Sequence, residues 1–224
     1  MEKIKTSGYI IIEGNIGVGK STFSVLLADS LRELGCRAEY LPEPDETTNP
    51  FLAEYYADPK ATAYKMQMHL LHSRFASTRY AQAAALAGKG WYILDRSYYG
   101  DICFAKVQER DGYFRPAEAE SYMTAHRNMR EFIEPPTAAV FLCAAPQTCA
   151  KRIAKRARDC EAGVPLDYLC ALDEEIARLA EVLRSRCPVI LLPWDADRDG
   201  DDLRHAAKKL AAELVGLSRD DWDF

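Results

Sequence analysis

The sequence predicts an α/β fold, a parallel five-stranded sheet flanked by helices in a single domain. Three observations carry this. Five short apolar runs alternate with longer segments of helical character, the pattern of a parallel sheet covered on both faces. Hydrophobic residues make up 48% of the 224 positions, enough for a substantial core. No repeat, low-complexity stretch or Ser/Gly linker divides residues 1–224.

The first strand, Gly8–Glu13, runs into a glycine-rich turn and the helix Lys20–Leu34. A second strand, Arg37–Leu41, precedes a long helix at about Ala61–Ala87, whose Tyr64–Leu86 stretch is rich in the good helix formers Ala, Leu, Met and Gln. The third strand, Trp91–Leu94, leads to helices Tyr98–Glu109 and Pro116–Glu134. After the fourth, Ala138–Cys143, come Gln147–Arg156 and Leu166–Arg186; after the fifth, Pro188–Leu192, comes Asp202–Leu214.

Composition narrows the partners. With 29 basic and 34 acidic residues the net charge is −5, which argues against a broad nucleic-acid surface and confines any phosphate site to a local cluster. No run approaches the ~18 to 20 apolar residues of a membrane span, and MEKIKTSGYIIIEGN reaches its glycine turn too early for a secretory signal. Neither nucleic acid nor membrane is an expected partner. Cys36, Cys103, Cys143, Cys149, Cys160, Cys170 and Cys187 are odd in number and include no C-x-x-C pair, which argues against a disulfide framework or zinc knuckle and suits a reducing cytoplasm.

The strongest signal is Gly14-Asn15-Ile16-Gly17-Val18-Gly19-Lys20-Ser21, which fits G-x-x-x-x-G-K-[ST] between a strand and a helix. The glycines let backbone N–H groups turn toward phosphate oxygens, with the positive end of the next helix behind them. Lys20 would neutralise β and γ phosphates, Ser21 offers Mg²⁺ a hydroxyl, and Thr22 closes the stretch. The fold is thus of the P-loop NTPase type, a triphosphate binder whose acceptor this loop does not name.

Three further segments narrow the chemistry. Leu41-Pro42-Glu43-Pro44 locks a carboxylate between two prolines, which suits a positioned acid or base, although the segment alone reads first as a solvated turn with an incidental glutamate. Leu94-Asp95-Arg96-Ser97 ends the third strand at the ligand-binding edge of a parallel sheet, where Asp95 can serve magnesium and Arg96 can stabilise a transferring phosphoryl group. Lys151 to Arg158 holds five cations in eight residues; a helix puts Arg152, Lys155 and Arg156 on one face. Without interleaved aromatics for base stacking, that stretch reads as a lid over phosphates at about 151–163.

With these segments in order, the sequence resembles the deoxyribonucleoside kinase family, in particular its bacterial deoxyadenosine/deoxyguanosine kinase branch. The resemblance runs from Tyr9 to about Leu172 and is carried by IEGNIGVGKS, LPEP, NPFLAEYYADP, AYKMQMHLLHSRF, LDRSYYGD and RIAKRAR-x-x-E-x-x-VPLDYL. It implies an ATP- and Mg²⁺-dependent kinase of nucleotide salvage that phosphorylates the 5′-hydroxyl of a deoxynucleoside. Glu43 then matches the residue that deprotonates that hydroxyl, Asp95 the magnesium carboxylate, and Arg96 the arginine at the 5′ position. Tyr56 and Glu161 match the pair on the sugar 3′-hydroxyl, and Arg152, Arg156 and Arg158 the lid arginines.

For the base, the resemblance points to the long helix, where Gln67, Leu70, Leu71 and Arg74 share one face with Met66 beside them. Asp101 and Phe104 match the charged and stacking positions after D-R-S. A buried Arg74–Asp101 pair leaves little room for a thymine methyl, so purine deoxynucleosides are favoured, deoxyguanosine or deoxyadenosine foremost. The sequence departs from the pattern at Thr47 and Thr48, where the animal branch has a tryptophan, and at Ile102, often an arginine. A deoxycytidine or broad-specificity kinase is the alternative, followed by a thymidylate-type kinase or a silent nucleotide-binding regulator. The family implies a homodimer, which apolar surface on Tyr64–Leu86 would permit. His69 and His72, at i and i+3, read as packing or surface residues, and Trp91, Trp194 and Trp222 as packing residues.

Overall fold

The run Gly8–Gly14 carries no polar alternation until Glu13, and it forms a strand, β1, buried at every position. In this computed structural model, which describes residues 6–44, 48–156, 164–194 and 200–216, the other strands are β2 (Ala38–Leu41), β3 (Trp91–Asp95), β4 (Ala138–Cys143) and β5 (Val189–Pro193). All pair in parallel in the order β2-β3-β1-β4-β5. The five-stranded α/β architecture read from the sequence is the one found.

The helices are α1 (Lys20–Glu33), α2 (Leu52–Ala57), α3 (Pro59–Leu86), α4 (Tyr98–Arg110), α5 (Pro116–Arg130), α6 (Pro146–Arg156), α7 (Leu166–Leu183) and α8 (Gly200–Val215). Alternate side chains of β1 serve opposite faces. Tyr9 and Ile11 join a core with residues of α3, α4, α5 and α7. Ile10 and Ile12 join a second with residues of α1 and α8. Trp91 is fully buried and Trp194 sets an edge against Phe23 at 6.2 Å, while Trp222 lies outside the described residues.

Three expectations need correction. The six-residue α2 is an additional helix, separated from α3 by Asp58, whose side chain accepts from Ala61 N and caps α3 with Pro59 at its start. α5 stops at Arg130 rather than Glu134, because the chain there turns to meet the sheet: Glu134 N donates to Gln82 Oε1, and the Glu134 carbonyl accepts from the hydroxyls of Tyr9 and Tyr99. The apolar surface expected on Tyr64–Leu86 is mostly turned inward: Met66, Leu70, Leu71, Ala81 and Ala84 are buried, and Tyr80 and Leu86 are its exposed large hydrophobics. His69 meets the ring of Phe51 and His72 the carbonyl of Met68, both local packing roles. Among the described residues no helix is long and apolar enough to cross a membrane.

Candidate active site

The chain runs β1 to β2 to β3 on one side of the sheet and then crosses to β4 and β5, so its direction reverses at β1, where a parallel sheet opens a crevice at its carboxyl edge. A cleft of about 820 Å³ lies there, from the loop after β1 to the inner faces of α3 and α4. Gly19 precedes α1, whose first turn has no acidic residue and no side-chain cap, leaving its N–H groups open to an anion. Ile16, Gly17, Gly19, Lys20, Ser21 and Thr22 line the cleft. Gly14, Asn15 and Val18 do not: Val18 is fully buried in the core, and Asn15 donates to the Leu169 carbonyl at 2.8 Å, bracing the loop against α7. At Gly17 (φ 77) a Cβ would stand 2.7 Å from Ile153 Cγ1 and 2.8 Å from the Cys149 carbonyl, so α6 can press on the loop only because this residue is glycine.

Lys20 is buried, with Nζ donating to the Asn15 carbonyl at 3.0 Å. Burial first, and then the charge of Arg96, lower its pKa to about 8. Ser21 donates to Asp95 Oδ2, and Tyr40 donates to the same oxygen at 3.2 Å. Asp95 is 3% exposed, and its Oδ1 has no partner among the described residues.

Glu43 stands at the middle of the cleft. Its Oε1 accepts from Arg74 Nη2 and, at 3.0 Å, from Arg96 Nε. Burial pushes the Glu43 carboxyl up, but the charges of Arg96, Arg74 and Lys20 outweigh it and bring the pKa down to about 2. Arg96 has φ 67, a left-handed conformation costly for a residue with a Cβ, and holds it through several contacts. Its N donates to the Ile12 carbonyl at 3.0 Å, Nη2 donates to the Gly14 carbonyl at 3.2 Å, and the guanidinium lies 4.4 Å from the centroid of Phe104.

On the far wall, Met66, Gln67, Leu70, Arg74 and Phe104 line the cleft, whereas Leu71 joins the core. Asp101 does not line it. It is fully buried behind Arg74, one carboxylate oxygen accepting from Arg74 Nη1 and the other from the Tyr122 hydroxyl at 2.5 Å. The expectation that Asp101 faces a base is corrected on this point: both oxygens are already engaged, and its effect on the cleft passes through Arg74.

A model of the deoxynucleoside kinase family matches residues 10–215. The chain belongs to the deoxynucleoside kinase family. It is 34% identical over 190 residues to a deoxyguanosine kinase of Dictyostelium discoideum, covering 84% of this chain and 65% of that protein's length. A deoxyadenosine kinase of the same organism is 30% identical over 200 residues, covering 89% of this chain and 78% of the other. Among solved structures, a deoxyadenosine kinase from M. mycoides with bound dATP superposes with a TM-score of 0.74 at 25% identity, covering 91% of this chain and 98% of that one.

In this member of the family the basic helix is only partly as the sequence suggested. Arg156 lines the cleft and Lys155 is exposed. Arg152 also lines it, but donates to the Val18 carbonyl at 3.1 Å and the Trp194 carbonyl at 2.9 Å, so it ties α6 to the phosphate loop. Arg158 and Glu161, and residues 157–163 of the lid, lie outside the described residues, as do Thr47 and the side chain of Tyr56.

Three residues of the site escaped the sequence reading. Glu13 is fully buried at the end of β1, its Oε1 accepting from Ser97 N at 3.0 Å and Ser97 Oγ at 2.7 Å, with Oε2 at 3.6 Å from Arg96 Nη1. Burial raises its pKa, and Arg96 and Ser97 work against that rise. Its signal was the lone charge in YIIIEG. Tyr40, on β2, carries only a strand signal in the sequence, and Gln108, on α4, fits no pattern there; both line the cleft. A divalent cation fits the corner formed by Asp95 and Ser21, which offers a hydroxyl and a buried carboxylate oxygen with no partner among the described residues.

Proposed function

We propose that this protein transfers the γ-phosphoryl group of ATP to the 5′-hydroxyl of a deoxynucleoside, with purine deoxynucleosides preferred. The observation that carries the reading is the placement of Glu43, fastened by two arginines between the phosphate loop and the α3–α4 wall. The triphosphate then lies on the loop, near Lys20, with Arg152 and Arg156 alongside. The nucleoside fills the opposite end, and its 5′-hydroxyl meets Glu43.

Both guanidinium contacts fall on Oε1 of Glu43, which leaves Oε2 for the hydroxyl. With its pKa at about 2, Glu43 is ionised at neutral pH but is a weak base toward an alcohol. It therefore orients the hydroxyl and takes the proton late, as the bond to phosphorus forms, which a loose phosphoryl transfer permits. Arg96 spans Gly14 and Glu43, where charge develops on the moving group. Asp95 and Ser21 would hold Mg²⁺, whose charge offsets that of the phosphates. Arg74, Gln67 and the ring of Phe104 form the base wall, with Tyr56 and Glu161 assigned to the sugar.

Six free cysteines among the described residues suit a reducing, cytoplasmic setting, and a homodimer is the assembly assigned. Glu43→Gln tests the reading. The amide still hydrogen-bonds but takes no proton, so kcat should fall at least about a hundredfold while deoxynucleoside KM changes only a few-fold. Unchanged kcat would reduce Glu43 to a turn residue and remove the proposal's main support.

A further inference from the structure

Gln108 lies on α4 ten residues beyond its first residue, roughly 15 Å along the helix. It is fully buried, it lines the cleft, and its Oε1 has no hydrogen-bond partner among the described residues. The identity of that atom follows from its neighbours. The Asp101 main-chain carbonyl can only accept, so the end of Gln67 lying 3.2 Å from it is the NH₂ group. Gln67 therefore turns its oxygen toward Gln108 at 2.9 Å, and an oxygen there requires a donor. Gln108 gives Gln67 its NH₂, and its oxygen is left buried at the cleft wall with no partner among the described residues; reversing either amide would set two acceptors face to face.

We infer that Gln108 is a specificity-determining residue whose side-chain oxygen accepts a hydrogen bond from an exocyclic amino group of the substrate base. The inference rests on the deoxynucleoside reading above and deepens it. An amino group projects beyond the ring and reaches an oxygen recessed in the wall. The neighbouring ring atom is then free to accept from Arg74, whose Nε has no partner among the described residues and can only donate. Adenine, cytosine and guanine each present an amino group beside an acceptor. Thymine flanks its one N–H with two carbonyls, and either carbonyl placed at Gln108 would meet oxygen with oxygen. A buried acceptor left unpaired is costly, so the pocket rejects a base without the donor more strongly than it rejects a change of size.

The test compares kcat/KM for the best substrate among deoxyadenosine, deoxyguanosine and deoxycytidine with kcat/KM for its counterpart lacking the amino group: purine 2′-deoxyriboside, 2′-deoxyinosine or 2-pyrimidinone 2′-deoxyriboside. It is run on the wild type and on Gln108→Met, which keeps the length of the side chain and removes the acceptor. Because both values come from one preparation, their ratio is independent of the fraction of folded enzyme. The wild type should prefer the amino-bearing substrate by at least about tenfold, and Q108M should reduce that preference to within about threefold. Should Q108M fail to fold, Gln108→Asn, which withdraws the oxygen by one methylene, is read in the same way. A wild-type ratio near one, or a ratio unchanged in the variant, overturns the inference alone. Wild-type enzyme that turns over no deoxynucleoside overturns the functional reading beneath it as well.

Discussion

Gly100→Ala sets two effects of opposite sign against each other. Gly100 lies inside α4, where alanine is favoured over glycine by about 1 kcal/mol on helix propensity alone. A Cβ at this position, however, would stand 2.2 Å from Glu13 Oε2 and 2.6 Å from both Glu13 Cδ and Oε1. The carboxylate is buried and held by Ser97 N and Oγ, so it has nowhere to swing. Overpacking costs about 1–3 kcal/mol, and each hydrogen bond to a charged group is worth about 1.5–3 kcal/mol. Strain plus the loss of one such bond outweighs the propensity gain and leaves a net destabilisation of about 2–4 kcal/mol. At about 2–4 °C per kcal/mol for a domain of this size, Tm should fall by roughly 4–16 °C. Thermal unfolding followed by circular dichroism reads this, and kcat at 25 °C should fall as well, because Glu13 is one of the supports of Arg96. A variant as stable as the wild type or more so, with unchanged kcat, is what propensity alone gives, and it would refute the account of the Glu13–Arg96 corner.

Lys20→Ala should reduce kcat/KM for ATP by at least about a hundredfold through loss of the loop's charge; a few-fold change in steady-state kinetics would contradict the loop's role. The same lysine sets a pH dependence. Its pKa is lowered to about 8, first by burial and then by Arg96, so the cation is present below that value and lost as pH rises through it. kcat/KM for ATP should therefore decline above about pH 8, and a flat profile to about pH 9.5 would show that Lys20 stays charged. Glu43 acts on stability in the acid range. Its folded pKa of about 2 lies below the ordinary carboxylate value, so its contribution is present above about pH 4.3 and fades as pH falls toward 2. Glu43→Gln should flatten that part of the stability profile in acid titrations of unfolding, and a profile identical to the wild type would mean the pair with Arg74 and Arg96 is not formed in solution.

The parts of the fold legible in the sequence are those whose signal is local. Strands buried on both faces read as continuous apolar runs, and the phosphate loop declares itself through glycine spacing between a strand and a helix. α2 left no such signal, since six residues are too few for a period, and only Asp58-Pro59 marks its end. Gln67, Arg74 and Glu43 were legible only through the family resemblance, because a proline-framed carboxylate alone reads as a solvated turn and a Gln and Arg on a helix face alone read as surface. The contacts that hold them were not legible, because each joins residues distant in the chain. Gln108 reaches Gln67 across 41 positions, Arg152 reaches the Val18 carbonyl across 134, and Glu13 meets Ser97 across 84. Asp101 was recognised as charged and important, but its enclosure by Tyr122 depends on where α5 packs.

The central claim is tested most directly by identifying the acceptor. The enzyme is incubated with γ-labelled ATP and Mg²⁺, in separate reactions with each of the four deoxynucleosides and each of their 5′-monophosphates, and the labelled products are separated by chromatography. The account predicts labelled deoxynucleoside 5′-monophosphate, formed from deoxyguanosine or deoxyadenosine with kcat/KM at least about tenfold above that for thymidine, and no turnover of the monophosphates. Labelled diphosphates from the monophosphates, with the deoxynucleosides left unreacted, would contradict it.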